Sequence, residues 1–320
     1  MTFRLVPGLA IAESVRRAGT DQIDRALAKL AGKPKKGNAV HETRKAIKRL
    51  RALLHLIKPA MRKHDFQTGD ARLKQIAKSL SGVRDIQAMI ETLGKLDAYD
   101  EGVGEGPVAS QLRTHLEAKR VAAERRPGGS GAERAKQLLR EARQAFDEMA
   151  LERDDFAALA ETVEGDYRKA LRGFKRAYEL DQDEAFHDWR KYVQRHWRQL
   201  LLVAPGWPKA IRPHIGLARD LSEALGDDHD LYVLAQYVEK KAASFGSPGE
   251  VEDFLALCRR RQEELRLDAR QMGARLFAEK PASLAARLTV YWTTAPPASG
   301  KETETVEEED EPSNIIPLTP

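Results

Sequence analysis

Two segments of the chain, 146 residues apart, carry the same short pattern of residues. Each pattern has an apolar residue, a histidine, an acid, any residue, then Arg-Lys and a further arginine four positions after the lysine. The matched positions are His41, Arg44, Lys45 and Arg49 in the first copy and His187, Arg190, Lys191 and Arg195 in the second. Solenoid repeats have periods of about 20–50 residues, so this longer spacing predicts two related half-domains instead.

A second pair of similar segments follows in the same order. Residues 80–86 read L-S-G-V-R-D-I and residues 225–231 read L-G-D-D-H-D-L, which matches Asp85 to Asp230 at an offset of 145. Because the two motifs occur twice, in the same order and at nearly the same separation, they indicate an internal duplication. We interpret each aspartate as structural, either a helix cap or an acid that orients the first arginine of the preceding motif in its half.

The composition predicts an all-α fold. Charged residues make up 32% of the chain and aromatic residues 6%, and no stretch shows the period-two alternation of a strand. Glycine and proline interrupt helical patterns, with breaks expected near Gly69, Gly82 and Gly226 among other places. Short connections between such helices favour antiparallel neighbours and therefore helical bundles.

The breaks also divide the chain. We expect one domain over residues 8–293, with a first half at about 8–126 and a second at about 153–293. A helix predicted at about 132–152 either ends the first half or bridges the two. Residues 294–320 contain seven acids, one lysine and several prolines without helical periodicity, and are predicted to be a disordered acidic tail.

Charge and cysteine content narrow the classes of function. The net charge of +5 becomes +11 when the acidic tail is set aside, which suggests a polyanionic partner. Cys258 is the single cysteine, so neither an intramolecular disulfide nor a cysteine-rich zinc site is expected. No apolar run approaches the ~20 residues of a membrane helix, and residues 5–12 form a poor signal-peptide core. We therefore expect a cytoplasmic protein without membrane association.

The first motif opens a helix with one cationic face. At about 100° per residue, its basic residues fall together opposite an apolar stripe that includes Ile47 and Leu50. The helix that contains the second motif also has one cationic face, and His196 lies on its apolar side. Most charged helix faces are merely solvated, but these two faces have one sign, which costs stability through repulsion. The basic residues concerned are His41, Arg44, Lys45, Lys48, Arg49, Arg51, His187, Arg190, Lys191, Arg195 and Arg198.

The sequence offers no catalytic set for these faces to serve. It has no glycine-rich phosphate loop, no nucleophile with a base and acid, and no repeated acid pair for magnesium. The run from Asp227 to Asp230 is a weak metal candidate, because the first half has no equivalent, and we predict neither metal nor cofactor. Trp189 and Tyr192 lie on the core side, so bases would find no stacking platform. A phosphate polymer without bases therefore fits better than nucleic acid.

These motifs in combination resemble the CHAD family. The resemblance rests on H-x-x-R-K at the head of a basic helix and a G-x-x-R-D-like segment about 40 positions later, both repeated, and covers nearly all of residues 8–293. It implies two four-helix bundles with pseudo-twofold symmetry around a basic groove or pore that binds inorganic polyphosphate. It further implies a non-catalytic bacterial protein at polyphosphate granules, in contact with granule proteins. The alternatives are an enzyme that transfers or hydrolyses phosphate of polyphosphate, and a helical RNA- or DNA-binding protein.

The resemblance assigns polyphosphate binding to nine of the eleven basic residues given above, and we include Arg51 and Arg198 because they share the same helix faces. To these we add basic residues on the helices that precede the motifs and one further matched pair. The added residues are Arg16, Arg17, Arg168, Arg172, Lys175, Lys74 and Arg219. Two departures set the second half apart, because Gln194 stands where the first half has Lys48, and His229 stands where it has Arg84. The second surface is therefore expected to bind less strongly.

Overall fold

The structure is a computed structural model that describes residues 3–32, 38–80, 83–100, 106–125 and 129–296. Gly82 and all but the first three residues of the predicted acidic tail lie outside this range. The described residues form eleven α-helices and three short 3-10 helices, without a strand. The prediction of an all-α fold is therefore confirmed.

Six α-helices precede residue 150. They are α1 (Ile11–Ala31), α2 (Asn38–Leu56), α3 (Lys63–Ser79), α4 (Val83–Tyr99), α5 (Pro107–Arg125) and α6 (Gly129–Asp147). Five follow, namely α7 (Phe156–Leu180), α8 (Asp183–Val203), α9 (Pro208–Glu239), α10 (Pro248–Leu276) and α11 (Pro281–Thr293). The 3-10 helices are Lys58–Ala60, Ala204–Gly206 and Ala242–Ser244, and the first two follow α2 and α8 at the same 146-residue offset as the motifs.

Helices α1, α2, α3 and α6 enclose one core. Packing runs from α1 to α2, from α2 to α3, from α3 to α6 and from α6 back to α1. Ile23, Leu50 and Leu139 are fully buried within it. Helix α6, which covers most of the segment predicted at 132–152, packs on α1 and α3 and closes this bundle.

Helices α7 to α10 form a second ring, and α11 covers α7. Asp155 caps α7 by accepting a hydrogen bond from the amide of Ala158 at 2.9 Å. Ser247 and Glu250 form a reciprocal capping box at the start of α10. The core of this ring contains Trp189, which is fully buried.

Helices α4 and α5 pack outside the first bundle. Helix α4 contacts α5 and α9, and α5 contacts α10, so this hairpin of the first half rests on the second half. Helices α4 and α5 therefore belong to the first half in sequence but pack on helices of the second half.

Two predicted breaks are wrong. Helix α9 continues through Gly226, and α3 continues through Gly69. A glycine inside a helix costs only about 1 kcal/mol, which the packing of neighbouring helices offsets. Gly69 also brings α3 close to α2, because a Cβ there would lie 3.1 Å from the Leu54 side chain.

The N-terminal segment packs onto the second half. The amide of Leu5 donates a hydrogen bond to the carbonyl of Leu202 at 2.9 Å, and Phe3 and Leu5 are buried. Among the residues that the structure describes, no helix combines the length and apolar character needed to cross a bilayer.

Candidate functional site

The two motif helices, α2 and α8, pack against each other, and α2 also contacts α7. Their apolar stripes explain this placement, because Ile47 and Leu50 of α2 and Val193 of α8 are buried in the cores. Basic residues that are far apart in the sequence are therefore brought to one region of the molecule.

On the side of the first bundle, Asp70 of α3 gathers three basic side chains. Arg51 Nε lies 2.9 Å from Asp70 Oδ1, Lys74 Nζ lies 2.9 Å from Oδ2, and His55 Nε2 lies 3.9 Å from Oδ1. Burial alone would raise the pKa of Asp70, but Arg51 and Lys74 outweigh it and lower that pKa. The carboxylate is therefore ionised and holds both cations in place.

On the side of the second half, Asp166 of α7 has the same role. Its Oδ1 accepts from Lys169 Nζ at 3.0 Å and Arg195 NH1 at 3.4 Å, and its Oδ2 accepts from Gln199 Nε2 at 2.8 Å. Burial would raise the pKa of Asp166, and Arg195 and Lys169 lower it on balance.

His55 links the two carboxylate centres. Its pKa falls to about 4, first because the ring is buried and second because Arg195 lies nearby, whereas Asp70 and Asp166 act in the opposite direction. Charges from both halves thus act on one imidazole. We call this group the crossing cluster; its members are Arg51, His55, Asp70, Lys74, Asp166, Lys169, Arg195 and Gln199.

The expectation of an open cationic face on α8 is only partly right. Arg190 is 1% exposed and Arg198 is 4% exposed. Arg198 donates to the carbonyl of Gln194 at 3.0 Å, and its guanidinium lies 5.0 Å from the centroid of the Trp197 ring. The second half therefore folds part of its basic face into the interior, because α8 is covered by α7, α9 and α2.

The acid matched to Arg190 is Asp230, which lies within α9. Burial lowers the pKa of Arg190, and Asp230 is the strongest influence in the opposite direction. The interpretation of Asp230 as a helix cap is wrong, because α9 extends nine residues beyond it. Asp85 differs: it lies in the first turn of α4, where an acid interacts favourably with the helix dipole.

The remaining basic residues of the motifs vary in exposure. Lys45 is only 8% exposed, with its Nζ 3.6 Å from Glu42 Oε1. Arg49 donates to Gln22 Oε1 at 3.5 Å. Lys191 is exposed and donates to Asp188 Oδ1 at 2.9 Å. Those of intermediate exposure include His41, Arg44 and Lys48.

The basic residues predicted on α7 do not face α8. Arg168, Arg172 and Lys175 are exposed and lie about 120–200° around the helix from Asp166. Arg168 forms an ion pair with Glu164 on its own helix. The basic residue of α7 that lies near Arg195 is instead Lys169.

Three other predicted residues are also directed elsewhere. Arg16 donates to the carbonyl of Met149 at 3.0 Å, next to the end of α6. Arg17 pairs with Glu13 at 2.6 Å. Arg219 lies 3.1 Å from Asp220 on its own helix.

The acidic run on α9 disperses around that helix. Asp227 accepts from Lys95 of α4 at 2.6 Å, and Asp228 accepts from Arg266 of α10 at 2.8 Å. Within the described parts of the chain, no group of three histidine, cysteine or acidic side chains is arranged to hold a metal.

Sequence reasoning missed five members of the crossing cluster, including His55, and the partner of one histidine. Asp70, Asp166, Lys169 and Gln199 lie outside the repeated motifs, although the spacing of Asp70 and Lys74 on one helix face was a usable signal. The ring of His187 stacks on that of His229, with centroids 4.1 Å apart and 26° between the planes. Burial, followed by nearby Lys191 and Arg190, lowers the pKa of His187 to about 4.

Fold and site together define an all-helical protein in which two basic motif helices pack against each other. The family model described as CHAD domain matches residues 17–239, so the chain belongs to the CHAD domain family. A search among curated proteins returned no match.

Two solved structures are similar to this chain. The CHAD domain from the plant Ricinus communis has a TM-score of 0.62 at 18% identity, covering 86% of this chain and 95% of that one. PptA from Streptomyces chartreusis has a TM-score of 0.61 at 17% identity, covering 83% of this chain and 97% of that one. At these identities the likeness establishes a shared fold.

Proposed function

We propose that this protein binds inorganic polyphosphate at the basic residues of α2 and α8 and does not alter it chemically. The observation that carries the proposal is the contact between the two motif helices, which brings cations of both halves around His55. Membership in the CHAD family supports it. Location at polyphosphate granules is part of the same proposal.

A phosphate polymer suits this surface for physical reasons. It offers closely spaced negative charges that several Lys and Arg side chains can neutralise at once, which releases counterions. Arg51, Lys74, Lys169 and Arg195 are already held by Asp70 and Asp166, so little side-chain entropy is lost when phosphate oxygens approach. We expect Lys48 and Lys191, which carry cationic charge at the surface of the motif helices, to contact phosphate first.

Charge-matched double variants test the location. Lys48→Gln with Lys191→Gln removes two positive charges from the motif helices, and Arg172→Gln with Lys175→Gln removes two from the outer side of α7. We expect the first variant to reduce the salt dependence of polyphosphate binding by about two phosphate contacts, and the second to leave it nearly unchanged. Fluorescence anisotropy at several salt concentrations measures both. Equal losses in the two variants would show nonspecific attraction to the whole surface.

The binding-only part of the proposal has its own test. Incubation with long-chain polyphosphate and magnesium or manganese should release no orthophosphate and shorten no chains. Steady turnover that one acidic substitution abolishes would establish the enzyme alternative.

A further inference from the structure

The stacked rings of His187 and His229 form a buried polar contact with unused hydrogen-bonding capacity. His229 is 6% exposed, and His187 is of intermediate exposure. Nδ1 of His187 and Nε2 of His229 are both buried and have no hydrogen-bond partner among the described residues. Buried polar atoms of this kind need an explanation, because their desolvation costs free energy.

The charged side chains that act on the two rings are mostly positive. From α8, Lys191 and Arg190 disfavour protonation of His187, and Asp188 favours it. From α9, Asp230 acts on Arg190, and the Tyr232 ring lies 6.4 Å from that of His229. In the free protein, Lys191 and Arg190 therefore outweigh Asp188 and oppose a proton on the pair.

Among the described residues, charged side chains on the other helices that pack on α8 and α9 pair with neighbouring residues instead of the rings. Lys95 of α4 and Arg266 of α10 bind the neighbouring residues Asp227 and Asp228. Helix α7 presents Phe174 and Tyr178 to Trp189 at this end of α8.

The charged members of α2 and α7 meet α8 at Arg195, which lies eight residues, about 12 Å, further along the helix from His187. Among the described residues, the charged groups that act on the ring of His187 are Lys191, Arg190 and Asp188, all of α8.

Stacking limits how many protons the pair can hold. An imidazolium over a neutral aromatic ring is stabilised, whereas two imidazolium rings 4.1 Å apart would repel. Burial, then Arg190 and His187 itself, lower the pKa of His229 to about 3, below the value of about 4 for His187. Because His187 is the more exposed of the two rings, a proton that arrives belongs on His187, with His229 as the neutral ring beneath it.

We propose that His187 and His229 form a proton-coupled phosphate subsite, in which a phosphoryl group of inorganic polyphosphate draws one proton from solvent onto the pair. His229 is a positioning residue that holds the His187 imidazolium over its neutral ring. The residue of the first half that matches His229 in the sequence is Arg84. The coupling of proton uptake to phosphate binding therefore belongs to the second half. This inference rests on the proposed binding of polyphosphate and adds its regulation by pH.

Substitutions at position 229 separate stacking from charge. His229→Phe keeps a neutral ring under His187, and His229→Arg places a permanent cation there that repels the imidazolium. Titration calorimetry at pH 6 in two buffers of different ionisation enthalpy counts the protons taken up when polyphosphate binds. The wild type and His229→Phe should take up about one more proton than His229→Arg or His187→Gln. His64→Gln, at an exposed histidine of α3, is the matched control and should equal the wild type.

Affinity gives a second readout. If binding takes up one proton, the affinity for polyphosphate rises by up to about tenfold for each unit by which the pH falls. This gain applies between the pKa of His187 in the complex and the lower pKa of His187 in the free protein. His229→Arg should therefore bind at least as well as the wild type at pH 8 but gain less between pH 8 and pH 5. Circular dichroism verifies that each variant is folded.

Two results would overturn the inference. One is uptake in His187→Gln equal to that of the wild type, and the other is a pH dependence of His229→Arg equal to that of the wild type. In either case binding itself would persist. Absence of polyphosphate binding at every pH would instead refute the proposed function.

Discussion

At the scale of single residues, the site depends on two nearly buried carboxylates. The side chains of Asp70 and Asp166 are 11% and 4% exposed, yet each is surrounded by cations. A buried ion pair adds little net stability compared with an apolar pair, but the loss of one partner leaves the other uncompensated. Such acids therefore fix the geometry of the arginines more than they stabilise the fold.

Asp166→Ala tests this role. Loss of the carboxylate leaves Lys169, Arg195 and Gln199 without their common acceptor, and we expect the free energy of unfolding to fall by about 3 kcal/mol. Asp188→Ala removes an exposed ion pair with Lys191 and should cost less than about 1 kcal/mol. Urea unfolding of both variants measures the difference. Equal effects would show that burial of the Asp166 cluster is unimportant.

His196 supplies a prediction about pH. It is 1% exposed, packs edge-on against Tyr167, and has its pKa lowered to about 4 mainly by burial. The unfolded chain therefore binds a proton at this residue between about pH 6.5 and pH 4 that the folded chain does not. Its contribution is fully present above about pH 6.5 and is lost as the pH falls towards 4.

We expect the wild type to lose up to about 3 kcal/mol more than His196→Gln between pH 7 and pH 4. Denaturant unfolding at four pH values measures this. Parallel loss of stability in both proteins would show that His196 is not responsible.

At the scale of helices, the close packing of α7 on α8 positions the crossing cluster. A Cβ on Gly173 of α7 would lie 3.2 Å from the backbone Cα of Trp189, so any side chain there forces the helices apart. On the same helix, a Cβ on Gly165 would meet nothing within 4 Å. The two glycines form a matched pair.

Gly173→Ala should destabilise the protein by about 1–3 kcal/mol through overpacking. Gly165→Ala should stabilise it by about 0.5–1 kcal/mol through its higher helix propensity. Thermal unfolding measures both shifts. Stabilisation by both substitutions would contradict the close approach of α7 and α8.

The sequence predicted which segments are helical more reliably than it predicted where the helices end. Amphipathic periodicity identified α2 and α8, because their apolar stripes must be buried. It could not show that α9 passes through Gly226, since tertiary packing decides whether a glycine ends a helix. Nor could a helical wheel show that Arg190 and Arg198 are buried, because that depends on the helices that cover α8.

At the scale of the whole molecule, the arrangement around α2 and α8 predicts bridging. A polymer that reaches cations of both halves makes its second contact within one complex and gains from effective concentration. Tripolyphosphate should therefore bind much more weakly than long chains at equal phosphate concentration. Competition titrations with chains of defined length measure this. Equal affinity for tripolyphosphate and long polymer would indicate a compact site in place of the bridging one.

The repeated motifs predicted two related half-domains, and the resemblance to the CHAD family implied a basic groove between them. They could not identify Asp70, Asp166 or Lys169, because these residues come together only through the packing of α2 with α3, α7 and α8. They also missed the contact of His187 with His229, which joins residues of two separate helices. Tertiary structure determines which residues outside the motifs contribute to the site.

The central claim is that the motif helices recognise phosphate polymer in preference to nucleic acid. The most direct measurement compares long-chain polyphosphate with single-stranded RNA at equal phosphate concentration over a range of salt concentrations. We predict tighter binding of polyphosphate at every salt concentration, with log K falling linearly with log salt, because recognition uses cations of motif helices whose tryptophans, Trp189 and Trp197, are buried. Equal or tighter binding of RNA would contradict the account.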